Sequence, residues 1–450
     1  MTRYGRVRGT LSGGLGANYW RLWLSSAAAN LADGIFWIAF PLLAIQYTDS
    51  PALVAGVVLV GRLPWLFFVL IAGALADRLD RRRTMLVVAV MRTLVAAGLA
   101  VGVVADVVDL PILYVTSFAL GVGETLFDTA AQSVMPSVVE RDQVSKANGR
   151  LFAAELTANQ FIGPPLGGLL ASIAIAYAFA GAALAFVVGV LGLALMRGSF
   201  RPVAATGETS IVEDIREGLR YLRGHRVLRT MALMVGGANL ASSATFAIMV
   251  LYVVAPGPVG LDEVGFGVLM TTMAIGSVAG SLLADRTARW LGRPRLLFVS
   301  ILLMALTTAV PGLTTSPLAI GAALALASLA VLMWNVVTVT LRQRIVPDRL
   351  LGRVNASYRL LAWGSQPLGA LLGGLIGELL GLQAVFLIAG AWSLLLLLGN
   401  RVLTEDALAA AEAEGEAEAA RLAAESTATA NGPAPTPSAD ASPASVRPLE

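Results

Sequence analysis

The chain has no cysteine, one histidine and one lysine in its 450 residues. Without cysteine there is no disulfide and no thiolate metal centre. A structural zinc site takes about four ligands and a catalytic one about three, and the single His225 lies in a basic polar stretch that supplies no such set. Charge is also scarce, at 14% of residues, where soluble domains carry roughly 25%. No G-x-x-x-x-G-K-[ST] sequence occurs, so no phosphate-cradling loop marks an ATP-driven machine. The lack of cysteine and the lone loop histidine argue against most enzyme chemistry, with serine- or carboxylate-based catalysis left open. No cofactor is called for, and nothing points to nucleic acid. What fills the chain is apolar: 57% of residues are hydrophobic, and the mean hydropathy is +0.76.

This apolar content falls into twelve segments of about 20 residues, the length that crosses a bilayer. They run over 18–46, 52–76, 84–106, 110–135, 149–172, 175–196, 229–255, 263–285, 294–313, 317–341, 354–379 and 383–403. Residues 1–17 carry Arg3, Arg6 and Arg8, and the run behind them is too long for a signal-peptide core. The connections near residues 48, 108, 173, 258, 315 and 381 contain no Lys or Arg. The alternate connections hold Arg78, Arg81, Arg82, Arg83, Arg141, Lys146, Arg197, Arg216, Arg286, Arg289, Arg293, Arg344 and Arg353. The positive-inside rule then places both termini in the cytoplasm. The expected fold is an all-α membrane protein of twelve transmembrane helices.

A short basic phrase occurs twice. G-A-L-A-D-R-L-D-R-R-R spans Gly73 to Arg83, and G-S-L-L-A-D-R-T-A-R-W-L-G-R spans Gly280 to Arg293. The aligned acids Asp77 and Asp285 stand 285 − 77 = 208 residues apart. Asn30-Leu31-Ala32 and Asn239-Leu240-Ala241 repeat at nearly the same offset. Two similar halves follow, 18–196 and 229–403, as pseudo-symmetric six-helix bundles in parallel orientation, with a substrate site expected between them near the midplane. Gly73 removes a side chain where two helices touch. Asp77 suits a neighbouring helix N-terminus or an arginine. Arg78, Arg81 and Arg82, with Asp285, Arg286 and Arg293 in the second copy, form a gating set for the arginine-rich side. Between the halves, 197–228 is a linker with an apolar stripe of Ile211, Ile215, Leu219 and Leu222, expected to lie on the inner membrane surface against anionic lipid. After Leu403 the composition turns Ala/Glu-rich and then Pro/Ala/Ser-rich over 404–450. The first part reads as a weak helix and the last roughly 25 residues as disordered.

Polar groups within apolar segments are expensive and point to function. Asn30, Asp33 and Trp37 share one face of the first segment, and Glu124, Phe127 and Asp128 one face of the fourth. Arg62 and Arg92 sit in the second and third, Glu155 and Asn159 in the fifth. The second half offers Asn239, Phe246, Trp334, Asn335, Trp363 and Gln366. Two carboxylates one turn apart in a low dielectric do not both ionise readily, so one of them holds a proton in the working range. Glu124 is the leading proton carrier and Asp33 the second; Asp128 pairs with an arginine or joins them, and Arg62 and Arg92 are counter-ions. The cavity set is then Asn30, Trp37, Phe127, Glu155, Asn159, Asn239, Phe246, Trp334, Asn335, Trp363 and Gln366. Such a lining suits a moderately large amphipathic compound, cationic or neutral.

These motifs resemble the major facilitator superfamily over about residues 15–403. Asp77 to Arg83, the Asn30-x-x-Asp33-Gly34 opening and Gly352-Arg353-Val354-Asn355 resemble its branch of macrolide-efflux and enterobactin-exporter-like proteins. The resemblance implies a drug:proton antiporter of a bacterial inner membrane, working by alternating access as a monomer on the proton gradient, with a drug, macrolide-like compound or siderophore as substrate. It implies the same gating role for the basic phrases. One departure stands out: the antiporter signature of the fifth segment matches only in its core, Gly163 to Gly168, because Arg150 and Asn159 replace upstream glycines. An importer on the same fold and a non-transporting membrane sensor or scaffold are the alternatives.

Overall fold

A computed structural model of the chain describes residues 15–68, 79–198, 200 and 211–430, and it is helical throughout. The first helices are α1 (Ala17–Ala44), α2 (Pro51–Phe67), α3 (Arg81–Val104) and α4 (Leu110–Val138). Their starts are written in the sequence. Ser50, Asp80 and Asp109 each accept a hydrogen bond from the amide three residues on, and Pro51 and Pro111 enter helices where no amide is needed. Then follow α5 (Val144–Leu156), a π-helical turn (Thr157–Ile162), α6 (Gly163–Ile173) and α7 (Ile175–Leu195). After the linker helix α8 (Ile211–Gly224) come α9 (Arg226–Val253), α10 (Glu263–Leu291), α11 (Arg293–Leu313), α12 (Pro317–Ile345) and α13 (Asp348–Leu380). The chain ends its described part with α14 (Leu382–Leu395), a 3₁₀ extension (Leu396–Arg401) and α15 (Glu405–Ala430).

Among the described residues, ten helices are long and apolar enough to cross a membrane. The expected segment 52–76 is described only as far as its 17-residue helix α2 and the turn after it. The expected segment 149–172 is not one regular helix. Pro164 and Pro165 have no N–H to give to the carbonyls four residues back, and the chain widens into the π turn just before them.

In one group α1 packs on α6 and α7, α3 on α4 and α7, and α2 on α4; in the other α10 packs on α12, α9 on α13, and α11 on α12 and α14. Small residues set the closest approaches. A Cβ on Gly34 would strike the Asn159 carbonyl and Gly163, and one on Gly276 would strike the Ala325 carbonyl. The groups meet where α2 lies along α13 and α6 along α10. At the arginine-poor end this contact is tight: Pro51 packs on Gly374 and Gly377, and Ser50 Oγ donates to Glu378 Oε2 at 2.6 Å.

Two further helices pack on this frame. The linker helix α8 turns one side to α13: Gly218 seats on the Arg353 carbonyl, Leu222 is buried, and Glu217 pairs with Arg353. The Ala/Glu-rich stretch is a full helix, α15, held on the bundle by buried Leu408 and Ala411, with Gly415 against the Ile345 carbonyl.

Candidate functional site

The i, i+3, i+7 spacing of α1 turns Asn30, Asp33 and Trp37 to one side, and the i, i+4 spacing of α4 does the same for Glu124 and Asp128. These faces, with α2 and the π-turn region, enclose a cavity of about 1240 Å³, including the space at its mouth. Asn30, Trp37, Glu155, Asn159, Trp363 and Gln366 of the expected cavity set line it, together with Arg62, Glu124 and Asp128 of the expected proton-coupling set. Trp65, Phe152 and Gln160 complete the wall. Trp65 makes an edge-on contact with Trp363, centroids 4.8 Å apart, that joins α2 to α13. Its signal was available: Trp65 is three residues from Arg62 on the same helix face. A second cavity of about 620 Å³, including the space at its mouth, shares Trp37, Arg62 and Glu124 and adds Asp33, Arg92 and Phe246. A third, of about 990 Å³ likewise including its mouth, shares Trp37 and Gln160 and contains Asn239.

The charges divide into paired and unpaired. Asp33 forms a buried ion pair with Arg92, whose guanidinium also lies 4.3 Å from the centre of the Phe186 ring. The arginine thus takes Asp33 as its partner and not Asp128. Glu124, Asp128 and Glu155 line the large cavity with no hydrogen bond or ion pair among the described residues. The Arg62 guanidinium stands 5.5 Å over the Trp37 ring, and Trp37 in turn meets Phe246 edge-on at 5.5 Å. Among the described residues no group of three or more His, Asp or Glu could hold a metal ion.

Three expected cavity residues lie elsewhere. Phe127 is 1% exposed and Trp334 is 3% exposed; both fill apolar cores, because a helical face cannot say which neighbour it turns to. Asn335 is exposed, outside the three cavities.

Of the gating set, Gly73, Asp77 and Arg78 lie outside the described residues. Arg81 donates to the Ser133 carbonyl, and Arg82 to the Leu193 and Ala194 carbonyls, each at 2.8 Å. They thereby tie the first turn of α3 to the C-terminal ends of α4 and α7. Asp285 and Arg286 are exposed. Arg293 binds both carboxylate oxygens of Glu412 in α15, at 2.6 and 3.1 Å, with Glu405 at 3.7 Å.

Residues 16–433 match the family described as transmembrane secretion effector. The multidrug efflux pump Tap of Mycolicibacterium fortuitum is 26% identical over 380 residues, covering 81% of this chain and 90% of its own. The macrolide efflux protein A of Streptococcus pyogenes is 23% identical over 389 residues, covering 83% and 92%. Among solved structures, the nucleoside transporter NupG superposes with a TM-score of 0.64 at 13% identity, over 86% of this chain and 99% of that one. A bacterial homologue of the iron transporter ferroportin, in an inward-facing state, superposes with a TM-score of 0.69 at 14% identity, over 85% and 98%. These two likenesses concern the fold alone.

Proposed function

The chain belongs to the transmembrane secretion effector family of the major facilitator superfamily, a family of membrane transporters and not enzymes, and on that premise we propose that it exports amphipathic small molecules in exchange for protons. The observation that carries this reading is the set of three unpaired carboxylates, Glu124, Asp128 and Glu155, around one cavity with Arg62. Carboxylates without a cation partner in a low dielectric take up protons or attract a cationic ligand. Proton and ligand then compete for the same groups, and each displaces the other. Glu124 is the proton carrier, lining both the large cavity and the second one beside the Asp33–Arg92 pair.

Twelve spans in two six-helix bundles fit the helix order, with α5, the π turn and α6 counted as one crossing and α14 with its 3₁₀ extension as the last. The arginine-rich side is then cytoplasmic, with both termini there, and the chain works as a monomer in a bacterial inner membrane. The tight packing of Pro51 on Gly374 and Gly377 closes the outer side, and alternating access consists of parting that side as the inner one closes. The relatives named as multidrug and macrolide efflux pumps support a drug or macrolide-like compound as substrate, with siderophores of similar size in range.

The test is efflux of ethidium from inside-out vesicles with an imposed pH gradient. Efflux that stops when the gradient is collapsed, and that Glu124→Gln abolishes while ethidium binding stays measurable, supports the reading. Unchanged gradient-driven efflux in Glu124→Gln sinks the assignment of the carrier.

A further inference from the structure

We infer that Arg293, at the start of α11, and Arg344, in the last turn of α12, form a binding site for the phosphate of an anionic phospholipid, a site that α15 fills with its own carboxylate. Neither arginine lines any of the three cavities, so the site stands apart from the export reading. Glu412 is held as a bound anion is held. Arg293 donates to each of its carboxylate oxygens, at 2.6 and 3.1 Å. Arg344 stands 3.6 Å from the first of those oxygens. The planar fork of an arginine matches two oxygens of a phosphate as well as those of a carboxylate. What grips Glu412 in this way therefore grips a phosphodiester by the same atoms.

The depth of the site names the source of the phosphate. Trp290, three residues before Arg293, is 83% exposed at the end of the membrane-crossing helix α10. A tryptophan so placed sits at the level of the lipid headgroups, which sets Arg293 beside them. The Arg344 side chain is 61% exposed, so a headgroup can reach it. The present occupant is lightly held. The residues of α15 buried up to Glu418 are Leu408, Ala411 and Gly415, the last lying against the Arg344 and Ile345 carbonyls. From Glu405 to Glu425 the helix carries seven Asp or Glu and one Arg. An anionic leaflet attracts the two arginines and repels this helix, so both effects favour exchange. A phosphate traded for Glu412 keeps both arginines paired, and the balance then follows the charge of the membrane. A zwitterionic lipid brings its own ammonium and has no such advantage.

The experiment follows hydrogen exchange over residues 405–418 of the full chain in two kinds of nanodisc, one of phosphatidylcholine and one with phosphatidylglycerol added. Exchange should be about tenfold faster in the anionic membrane. Arg293→Gln combined with Arg344→Gln should make it fast in both membranes and remove the response to lipid. Glu412→Gln keeps both arginines and empties the site. It should bind phosphatidylglycerol about fivefold more tightly than the unaltered chain does, read as lipid retained in native mass spectrometry. Equal exchange of the unaltered chain in the two membranes overturns the proposal. So does a response to lipid that persists in full without the arginines, or a Glu412→Gln chain that gains no lipid. Inorganic phosphate that speeds exchange in phosphatidylcholine as much as phosphatidylglycerol does overturns the lipid as the ligand.

Discussion

Asp33 and Arg92 form the one ion pair among the described residues that is enclosed by membrane-spanning helices, and its two members should respond unequally to substitution. Arg92 is 1% exposed, its Nε has no hydrogen-bond partner, and Phe186 covers one face of the guanidinium. Asp33→Asn removes the counter-charge and leaves a guanidinium that cannot lose its proton inside a protein. Breaking a buried pair in this way costs about 3–5 kcal/mol. Arg92→Met is milder, because the stranded carboxyl can take up a proton and persist as a neutral acid; a buried polar group of that kind costs about 1–3 kcal/mol. Joining Asp33→Asn to Arg92→Met removes both charges and fills the arginine's space with an apolar side chain. The double variant should return to within about 1 kcal/mol of the unaltered chain. Unfolding of the purified chain in nanodiscs, followed by tryptophan fluorescence, gives the four stabilities of the cycle. An Asp33→Asn variant no less stable than Arg92→Met, or a double variant as unstable as the sum of the singles, refutes the pairing.

Other outcomes follow from the packing and the charges. Gly276→Val drives a side chain into the Ala325 carbonyl and should destabilise the chain by about 1–3 kcal/mol; an unshifted unfolding midpoint counts against the contact. Glu412→Gln weakens a partly exposed bond to Arg293. A loss of about 1 kcal/mol speeds tryptic cleavage at Arg421 about fivefold, read on a time-course gel. Burial pushes the His225 imidazole below the usual histidine range, an effect that Glu414 opposes only in part. The folded chain thus favours the neutral ring. Its stability contribution is complete above the ordinary value of about 6.5 and is lost as pH falls below it. His225→Asn keeps a side-chain acceptor for the Leu228 amide and should flatten the stability profile between about pH 5 and 7.

Much of this was legible because it depends on one helix at a time. Ser50, Asp80 and Asp109 mark helix starts by their own side chains, and the faces Asn30–Asp33–Trp37 and Glu124–Asp128 need only the helical period. The π turn was also within reach, since two adjacent prolines at Pro164 and Pro165 must disturb the turn before them. What could not be read is which face meets which. Asp33 and Asp128 are equally plausible partners for Arg92 until α1 and α4 are placed around α3. Phe127 and Trp334 have the spacing of cavity residues yet point into apolar cores. The attachment of α15 rests on Glu412 finding Arg293, 119 residues away in the chain, and no local pattern announces it.

One small contact at the arginine-poor end joins the two groups of helices without being indispensable to either. Glu378 of α13 accepts from Ser50 Oγ and, at 3.4 Å, from the Ala52 amide, so the first turn of α2 is completed by a residue from the opposite group of helices. Ser50 still receives the Leu53 amide by itself. When the two ends separate, Glu378 and the Ala52 amide pass to water, and the helix keeps its own cap. The polar bolt is then worth about 1 kcal/mol or less, as for exposed pairs and caps. A bolt of that strength biases closed over parted ends by only about fivefold, so its loss shifts a preference and does not by itself open the contact.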